Sequence, residues 1–256
     1  MSRPKQQRPH ERREFIYGIN PVVETLRGRR RHHRIYVRRE RQDDQRVSGI
    51  VDMATSIGVA VEPVDQARLD SMCDGGNHQG VVLETGPFQY IELDEMIARA
   101  DGRAILILDH LQDPQNLATL IRSAAAIGIG GVVVQSDRSV QVTPAVVRSS
   151  AGLVEHVPVC LENNTRRAID YLKENGYWAV AVESTDDAED IYVADIPTPI
   201  ALVIGSEERG TAPNVLKACD LTVVIPMPGR VESLNAAVAG SVALFEIYRR
   251  MTYEDS

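Results

Sequence analysis

The feature that most constrains this chain is a series of six short apolar runs: AILILD (104–109), GVVVQ (131–135), VEHVPV (154–159), WAVAVES (178–184), IALVIGS (200–206) and LTVVIPM (221–227). They are rich in Val, Ile and Leu, and helical patterns fall between most of them, at 116–127, 143–151, 164–175 and 213–219. Strands that read as near-continuous apolar runs are buried on both faces, and their alternation with helices predicts a mostly parallel α/β sheet. Sheets of this kind gather ligands at the carboxyl ends of their strands, so the loops after these runs are where chemistry is expected.

Three such loops stand out. The first follows AILILD and reads HLQDPQNLATLIRSAAAIG, from His110 to Gly128. Pro114 keeps Asp113 out of helical conformation, and Asn116 is a good N-cap for the helix behind it. Arg122 is conspicuous in an otherwise apolar stretch; if the helix begins at Asn116, both residues can face one crevice. An arginine there either serves a ligand or decorates the helix surface. The second loop, GSEERG (205–210), spells G-x-E-x-x-G. Its spacing imitates a dinucleotide-binding loop, but Glu207 stands where a glycine would let backbone amides approach a pyrophosphate. A carboxylate there repels phosphate, so the ligand is expected to be held by other groups. The third, PGRVESLNAAVAG (228–240), is a Pro-Gly turn leading into a helix, with Ser233 as a candidate N-cap. Small residues at 236, 237, 239, 240 and 243 make a face suited to tight threading or to contact with a second subunit.

Ahead of this domain the pattern is different. The chain's 256 residues are enough for two domains, and residues 14–86 read as a smaller α/β unit. Asn20 is placed to cap a short helix with Pro21 at its first position. HRIYV (33–37), VAVEPV (59–64) and GVVLETG (80–86) read as strands, with helices at 46–57 and 66–73. Residues 1–13 read as a basic flexible arm, 87–102 as a connector with one helical stretch, and 103–256 as the second domain. In the loop GGNHQG (75–80), His78 either touches a ligand or simply shapes the turn.

The net charge is −8, yet residues 1–46 hold fourteen Lys/Arg against six Asp/Glu, while the remainder holds fourteen against thirty. A cationic segment on an acidic body is a footprint of contact with a phosphate backbone. Arg27, Arg29, Arg30, Arg31 and Arg34 interrupt a structured pattern and are the expected RNA or DNA contacts, RNA contacts under the resemblance given below. No apolar run approaches the ~18 residues of a membrane span, and the first residues lack the apolar core of a signal peptide, which predicts a soluble, cytoplasmic protein. Cys73, Cys160 and Cys219 fall in no metal-binding or paired spacing and are expected to be free thiols. Asp109, Asp113, Glu207, Glu208 and Glu232 lack a metal spacing too, so no metal is expected.

In this order and spacing, DHLQDPQNLATLIRSAAAIG, LVIGSEERG and IPMPGRVESLNAAVAG resemble the three motifs of the SpoU/TrmH family of RNA ribose 2′-O-methyltransferases, over residues 104–251. YGINPVVETLRG and GGNHQGVVLE look like the L30e-like substrate-binding domain of that family's ribosomal-RNA branch. One departure is Ala118, where the family's first motif usually has glycine. The resemblance implies a deep trefoil knot in the C-terminal sheet, S-adenosylmethionine as cofactor and a homodimer formed through the knotted domain. It implies cofactor contacts, largely through backbone, at Gly205, Ile225, Met227 and Leu234. It implies catalytic-site roles for Asn116, Arg122, Glu207, Ser233 and Asn235, and a guanosine of 23S ribosomal RNA as target. A transfer-RNA ribose methyltransferase, a base methyltransferase and a non-catalytic RNA-binding or ribosome-assembly protein are the other readings.

A ribose 2′-hydroxyl is a weak acid, and its attack on a sulfonium methyl needs the proton removed while both groups are held about 3 Å apart. His110 is the only histidine in the three loops. Family schemes give the central role to the arginine matching Arg122, but a guanidinium normally stays protonated. The easier expectation is that Arg122 binds a phosphate beside the target ribose and lowers the hydroxyl's pKa by its charge.

Overall fold

The computed structural model describes residues 12–41, 44–230 and 233–253. The chain divides into two units between Gln89 and Tyr90. The basic arm falls almost wholly outside the described residues.

The first unit runs β1 (Glu14–Tyr17), α1 (Ile19–Arg27), β2 (His32–Arg38), α2 (Gln45–Ser56), β3 (Ala60–Val64), α3 (Gln66–Met72) and β4 (Val81–Thr85). Its four strands lie in the order β1-β4-β2-β3, with only β2 and β3 parallel. β1 is a strand the apolar pattern left out, since only its alternate residues Glu14 and Ile16 turn inward. Asn20 is not the cap of α1, which starts one residue earlier, after Gly18 at φ +93°. The free amide of Ile19 is instead satisfied at 2.8 Å by the side chain of Gln79, sixty residues away. The caps of α2 and α3 are local: Asp44 accepts from Arg46 N and Asp65 from Arg68 N.

The second unit runs α4 (Leu93–Ala100), β5 (Ile105–Leu108), α5 (Pro114–Ile127), β6 (Gly131–Gln135), α6 (Pro144–Ser149), β7 (Val159–Glu162), α7 (Thr165–Glu174), β8 (Trp178–Val182), β9 (Glu189–Asp190), β10 (Ile200–Ile204), α8 (Pro213–Leu216), β11 (Leu221–Val224) and α9 (Ala236–Tyr253). Its seven strands lie in the order β7-β6-β5-β10-β8-β11-β9. Every neighbouring pair is parallel. β5 and β10 are buried along their whole length at the centre. Each buried Leu or Ile there contributes about 1.5–3 kcal/mol, so the middle of the sheet is the rigid base from which the loops project.

The run 154–159 is not one strand. Gly152 at φ +86° turns the chain, Leu153–His156 form a 3-10 turn, and pairing begins only at Val159. Alternating Val fits either geometry, and the glycine and Pro158 decide it. The predicted connector is also no free linker. Leu93, Met96 and Ala100 of α4 are buried in the core of the larger unit, and a Cβ on Gly131 would meet the sulfur of Met96 at 2.5 Å. The connector helix therefore belongs to the second domain.

The small-residue face of α9 is used within the chain. Ala236, Ala237, Gly240 and Ala243 are buried. A Cβ on Gly240 would lie 2.5 Å from Leu120 Cδ2 of α5, and Ser123 and Ser241 hydrogen-bond across the two helices at 2.8 Å. What α9 leaves exposed is a different stripe: Val238, Phe245 and Tyr248.

Candidate functional site

Two hollows lie at the carboxyl ends of the central strands. The first, about 310 Å³, is bordered by Gly205, Ile225, Met227 and Leu234, together with Ser233 and the carboxylates Glu183, Glu207 and Glu208. Among the described residues no lysine or arginine lines it. The second, about 850 Å³, is lined by His110, Asn116, Arg138, Arg209 and Asn235 among others. Ser206, Glu207, Glu208 and Gly210 border both, so the G-x-E-x-x-G loop is the wall between them.

That wall is a closed ring. Ser206 N donates to Gly210 O and Gly210 N to Ser206 O, both at 3.0 Å. The ring brings Gly205 against its own loop: a Cβ there would lie 2.2 Å from both Gly210 C and Thr211 N. The glycine thus permits a backbone-to-backbone approach inside the protein. Gly210, at φ +63°, sits against Glu183, whose Oε2 accepts from Thr211 N at 2.7 Å. Glu183 escaped notice in the sequence, although a carboxylate directly after the WAVAV strand was a signal.

A polar chain crosses the wall. Asn116 Nδ2 donates to Glu207 Oε1, and Asn235 Nδ2 donates to Asn116 Oδ1 at 3.1 Å. Asn116 reaches Glu207 because α5 starts at Pro114, with Asp113 Oδ1 accepting from Gln115 N at 2.9 Å. Asn116 is therefore inside the helix, not its cap. Asn235, not Ser233, caps α9, its Oδ1 accepting from Ala237 N at 2.9 Å and Val238 N at 3.2 Å. Three predicted residues, Asn116, Glu207 and Asn235, are thus one hydrogen-bonded unit, and Ser233 borders the smaller hollow.

Arg122 is not with them. It is exposed and lines neither hollow. Six residues along an α-helix amount to about 600°, which leaves Asn116 and Arg122 roughly 120° apart around α5. The shared crevice expected of the pair does not form within one chain.

Sequence reading also missed the role of Asp109. It is fully buried; its Oδ1 accepts from Thr165 Oγ1 at 2.9 Å and pairs with His110 Nδ1 at 3.0 Å, and its Oδ2 accepts from Ala212 N at 2.9 Å. One carboxylate thereby ties the end of β5 to the start of α7 and to the segment after the glycine loop.

The five arginines of the first unit divide. Arg30 is buried, pairs with Glu14 at 2.7 Å and lies over the Phe88 ring at 5.0 Å, so it is a packing residue there, not an accessible phosphate contact. Arg27, Arg29, Arg31 and Arg34 are exposed; Arg27 pairs with Glu24 and Arg34 with Glu62. His78 is buried and fixed by Asp70 and the amide of Gly80, the turn-shaping alternative. The three thiols are free, and burial pushes those of Cys160 and Cys219 up to about 12, far from a reactive thiolate. No metal-binding group of three or more His, Cys, Asp or Glu occurs among the described residues. Nor is any described helix long and apolar enough to cross a membrane.

A parallel sheet with a pocket bordered by three carboxylates beside a wider cleft, both at its strand ends, defines an α/β protein with its candidate site at the carboxyl edge of the sheet. The chain belongs to the SpoU/TrmH family of RNA methyltransferases: the SpoU rRNA methylase family model matches residues 103–245, and that for RNA 2′-O ribose methyltransferase substrate binding matches 15–91. It is 35% identical over 244 residues to a putative TrmH family tRNA/rRNA methyltransferase, YacO, of Bacillus subtilis (strain 168), covering 94% of this chain and 97% of that one. A putative TrmH family tRNA/rRNA methyltransferase of Staphylococcus haemolyticus is 36% identical over 239 residues, covering 92% and 95%. Among solved structures, an rRNA methyltransferase from Sinorhizobium meliloti superposes with TM-score 0.79 at 25% identity, covering 97% of this chain and 91% of that one. The SpoU methyltransferase AviRb from Streptomyces viridochromogenes, solved with AdoMet, gives TM-score 0.79 at 23% identity, covering 97% and 94%, a likeness of fold.

Proposed function

We propose that this chain transfers a methyl group from S-adenosylmethionine to a ribose 2′-hydroxyl of RNA, with a guanosine of 23S ribosomal RNA as the favoured target. The observation that carries the reading is the Asn116–Glu207–Asn235 unit standing between an acidic pocket and a wider cleft. S-adenosylmethionine supplies a methyl group on a positively charged sulfur and has no phosphate. A pocket bordered by Glu183, Glu207 and Glu208, with no lysine or arginine among the described residues that line it, suits that charge. Gly205, Ile225, Met227 and Leu234 would hold it, largely through backbone groups, with Ser233 at the rim. Asn116 and Asn235 fix the Glu207 side chain, so the carboxylate needs no reorganisation when a ligand arrives.

The larger unit would carry the family's trefoil knot, with the segment 221–251 threaded through it, and the smaller would be the L30e-like RNA-binding domain. Arg27, Arg29, Arg31 and Arg34 remain its candidate phosphate contacts. The chain would act in the cytoplasm as a homodimer. Val238, Phe245 and Tyr248 form an apolar stripe on α9, and Arg122 neighbours Ser123, which bonds that helix. A second subunit docked on this stripe would receive Arg122 from outside its own chain. Phe245→Asp is expected to leave a monomer by light scattering; an intact dimer would remove this stripe from the interface.

The test is to map ribose methylation on ribosomal and transfer RNA from a strain lacking the gene, with and without complementation. One ribose methyl lost and restored identifies the target, and its RNA class separates ribosomal from transfer RNA. A methyl restored on a base, or no change at all, defeats the reading. In the latter case calorimetry without measurable S-adenosylmethionine binding points to a non-catalytic RNA-binding protein.

A further inference from the structure

Ribose methylation, as proposed above, leaves one requirement unassigned: a group that takes the hydroxyl proton. We infer that His110 is this proton acceptor and that Asp109 is its positioning residue. The inference rests on the methyl-transfer reading and goes beyond it.

The geometry is that of an oriented histidine. Asp109 is fully buried, and its two oxygens already receive Thr165 Oγ1–H and Ala212 N–H. Both oxygens thus act as acceptors, so in the 3.0 Å contact His110 Nδ1 is placed as the donor. The neutral ring then carries its lone pair on Nε2, on the side away from Asp109. His110 itself is partly exposed and lines the wider cleft, the one that shares the Ser206–Glu208 wall with the cofactor pocket. A side chain in that cleft sits where an RNA nucleotide would meet a methyl donor across the wall.

The backbone points the same way. His110 is held at φ +58°, a conformation that glycine adopts without strain and other residues resist. Retention of an imidazole at such a position is the kind of local strain that collects at functional sites.

The other titratable groups lining the cleft serve less well. Glu207 is bonded to Asn116, and Asp113 caps α5. Glu208 lies on the wall itself and, among the described residues, has no partner that orients it as Asp109 orients His110, and general bases of this kind are most often histidines. Arg138 and Arg209 stay protonated and can only attract the RNA. In the step itself, the ribose oxygen forms its bond to the methyl carbon. The carbon–sulfur bond breaks with its electron pair left on sulfur, and the hydroxyl proton passes to His110 Nε2. The imidazolium is stabilised by Asp109 until water takes the proton.

The test uses His110→Gly, which relieves the backbone strain but takes one partner from buried Asp109. It also uses His110→Asn, which tolerates the same backbone and keeps an amide donor without a basic nitrogen; thermal melts check that both fold. Single-turnover methyl transfer is measured against pH on RNA from the gene-deleted strain, with S-adenosylmethionine affinity measured by calorimetry. Expected are a loss of about 10²–10⁴-fold in rate, unchanged cofactor affinity, and disappearance of the rise in rate that a histidine base imposes through its titration. A rate within threefold of the parent overturns the inference, and so does a slower variant that keeps the parent's pH profile. If the parent itself leaves no methyl on ribose, the methyl-transfer reading fails first. If the parent does and His110→Gly matches it, only the role of His110 fails.

Discussion

Arg122→Ala is expected to lower methyl transfer about 10²–10³-fold, the usual consequence of removing one charge-stabilising donor, while S-adenosylmethionine affinity stays within about twofold. The cofactor term follows from position: Arg122 lines neither hollow of its own chain, so its loss leaves the acidic pocket intact. The rate term requires the guanidinium to reach a phosphate at a site it does not touch within one subunit. A site completed by a second subunit satisfies both conditions, and it makes a sharper experiment available. Arg122→Ala and Glu207→Ala chains, each inactive alone, are produced together. If Arg122 serves its neighbour, half the dimers are mixed and one of their two sites has both native groups, giving about a quarter of the parent activity. If Arg122 serves its own chain, no site is restored and the mixture stays inactive. Arg122→Lys should not rescue, because a lysine lacks the planar fork that grips a phosphate. Near-normal turnover in Arg122→Ala would end its assignment to the site.

That result also marks where the sequence stops being informative. Five of the six apolar runs coincide with strands, β5, β6, β8, β10 and β11, because strands buried on both faces must be apolar throughout, whatever their order. They say nothing of β9, two residues long and paired only at the sheet's edge. Asn116, Glu207 and Asn235 are legible as a set because each sits in a loop at a strand end or in the first turn of the helix after it, where polar residues beside apolar runs need a reason. Their mutual bonds depend on where α5 begins, and a two-residue change in that start alters which side chains share a face. Pro114 at the first turn, with Asp113 before it, was the better boundary signal.

Arg30 illustrates the opposite error. Charge density in the first 46 residues is real, but composition does not distinguish an exposed arginine from one buried on Glu14 and Phe88, since the partners are distant in sequence. Asp109 escaped for the same reason. Its three partners come from residue 110, from the start of α7 and from the segment after the glycine loop, and only the folded sheet brings them together. Gly240 and its small neighbours were rightly read as a close-packing face, but the partner proves to be α5 of the same chain.

Gly205→Ala is the substitution expected to damage the site most as a structure. The added methyl would lie 2.2 Å from Gly210 C and Thr211 N and 2.6 Å from Gly210 O. All three are backbone atoms, so no rotamer change relieves the clash, and the ring between Ser206 and Gly210 has to open. Opening it withdraws Thr211 N from Glu183 and shifts the wall that carries Glu207, which alters both hollows at once. Overpacking of this kind costs about 1–3 kcal/mol. For a domain of this size that corresponds to a fall in Tm of roughly 2–12 °C. S-adenosylmethionine affinity should drop at least about tenfold, since a shift of the wall by a fraction of an ångström removes well-placed contacts. Gly229→Ala is the control: it lies in the neighbouring Pro-Gly turn, and a Cβ there meets nothing within 4 Å. Calorimetry and thermal melts on the two variants separate the possibilities. If Gly205→Ala binds the cofactor as tightly as Gly229→Ala does, the closed ring is not what shapes the pocket.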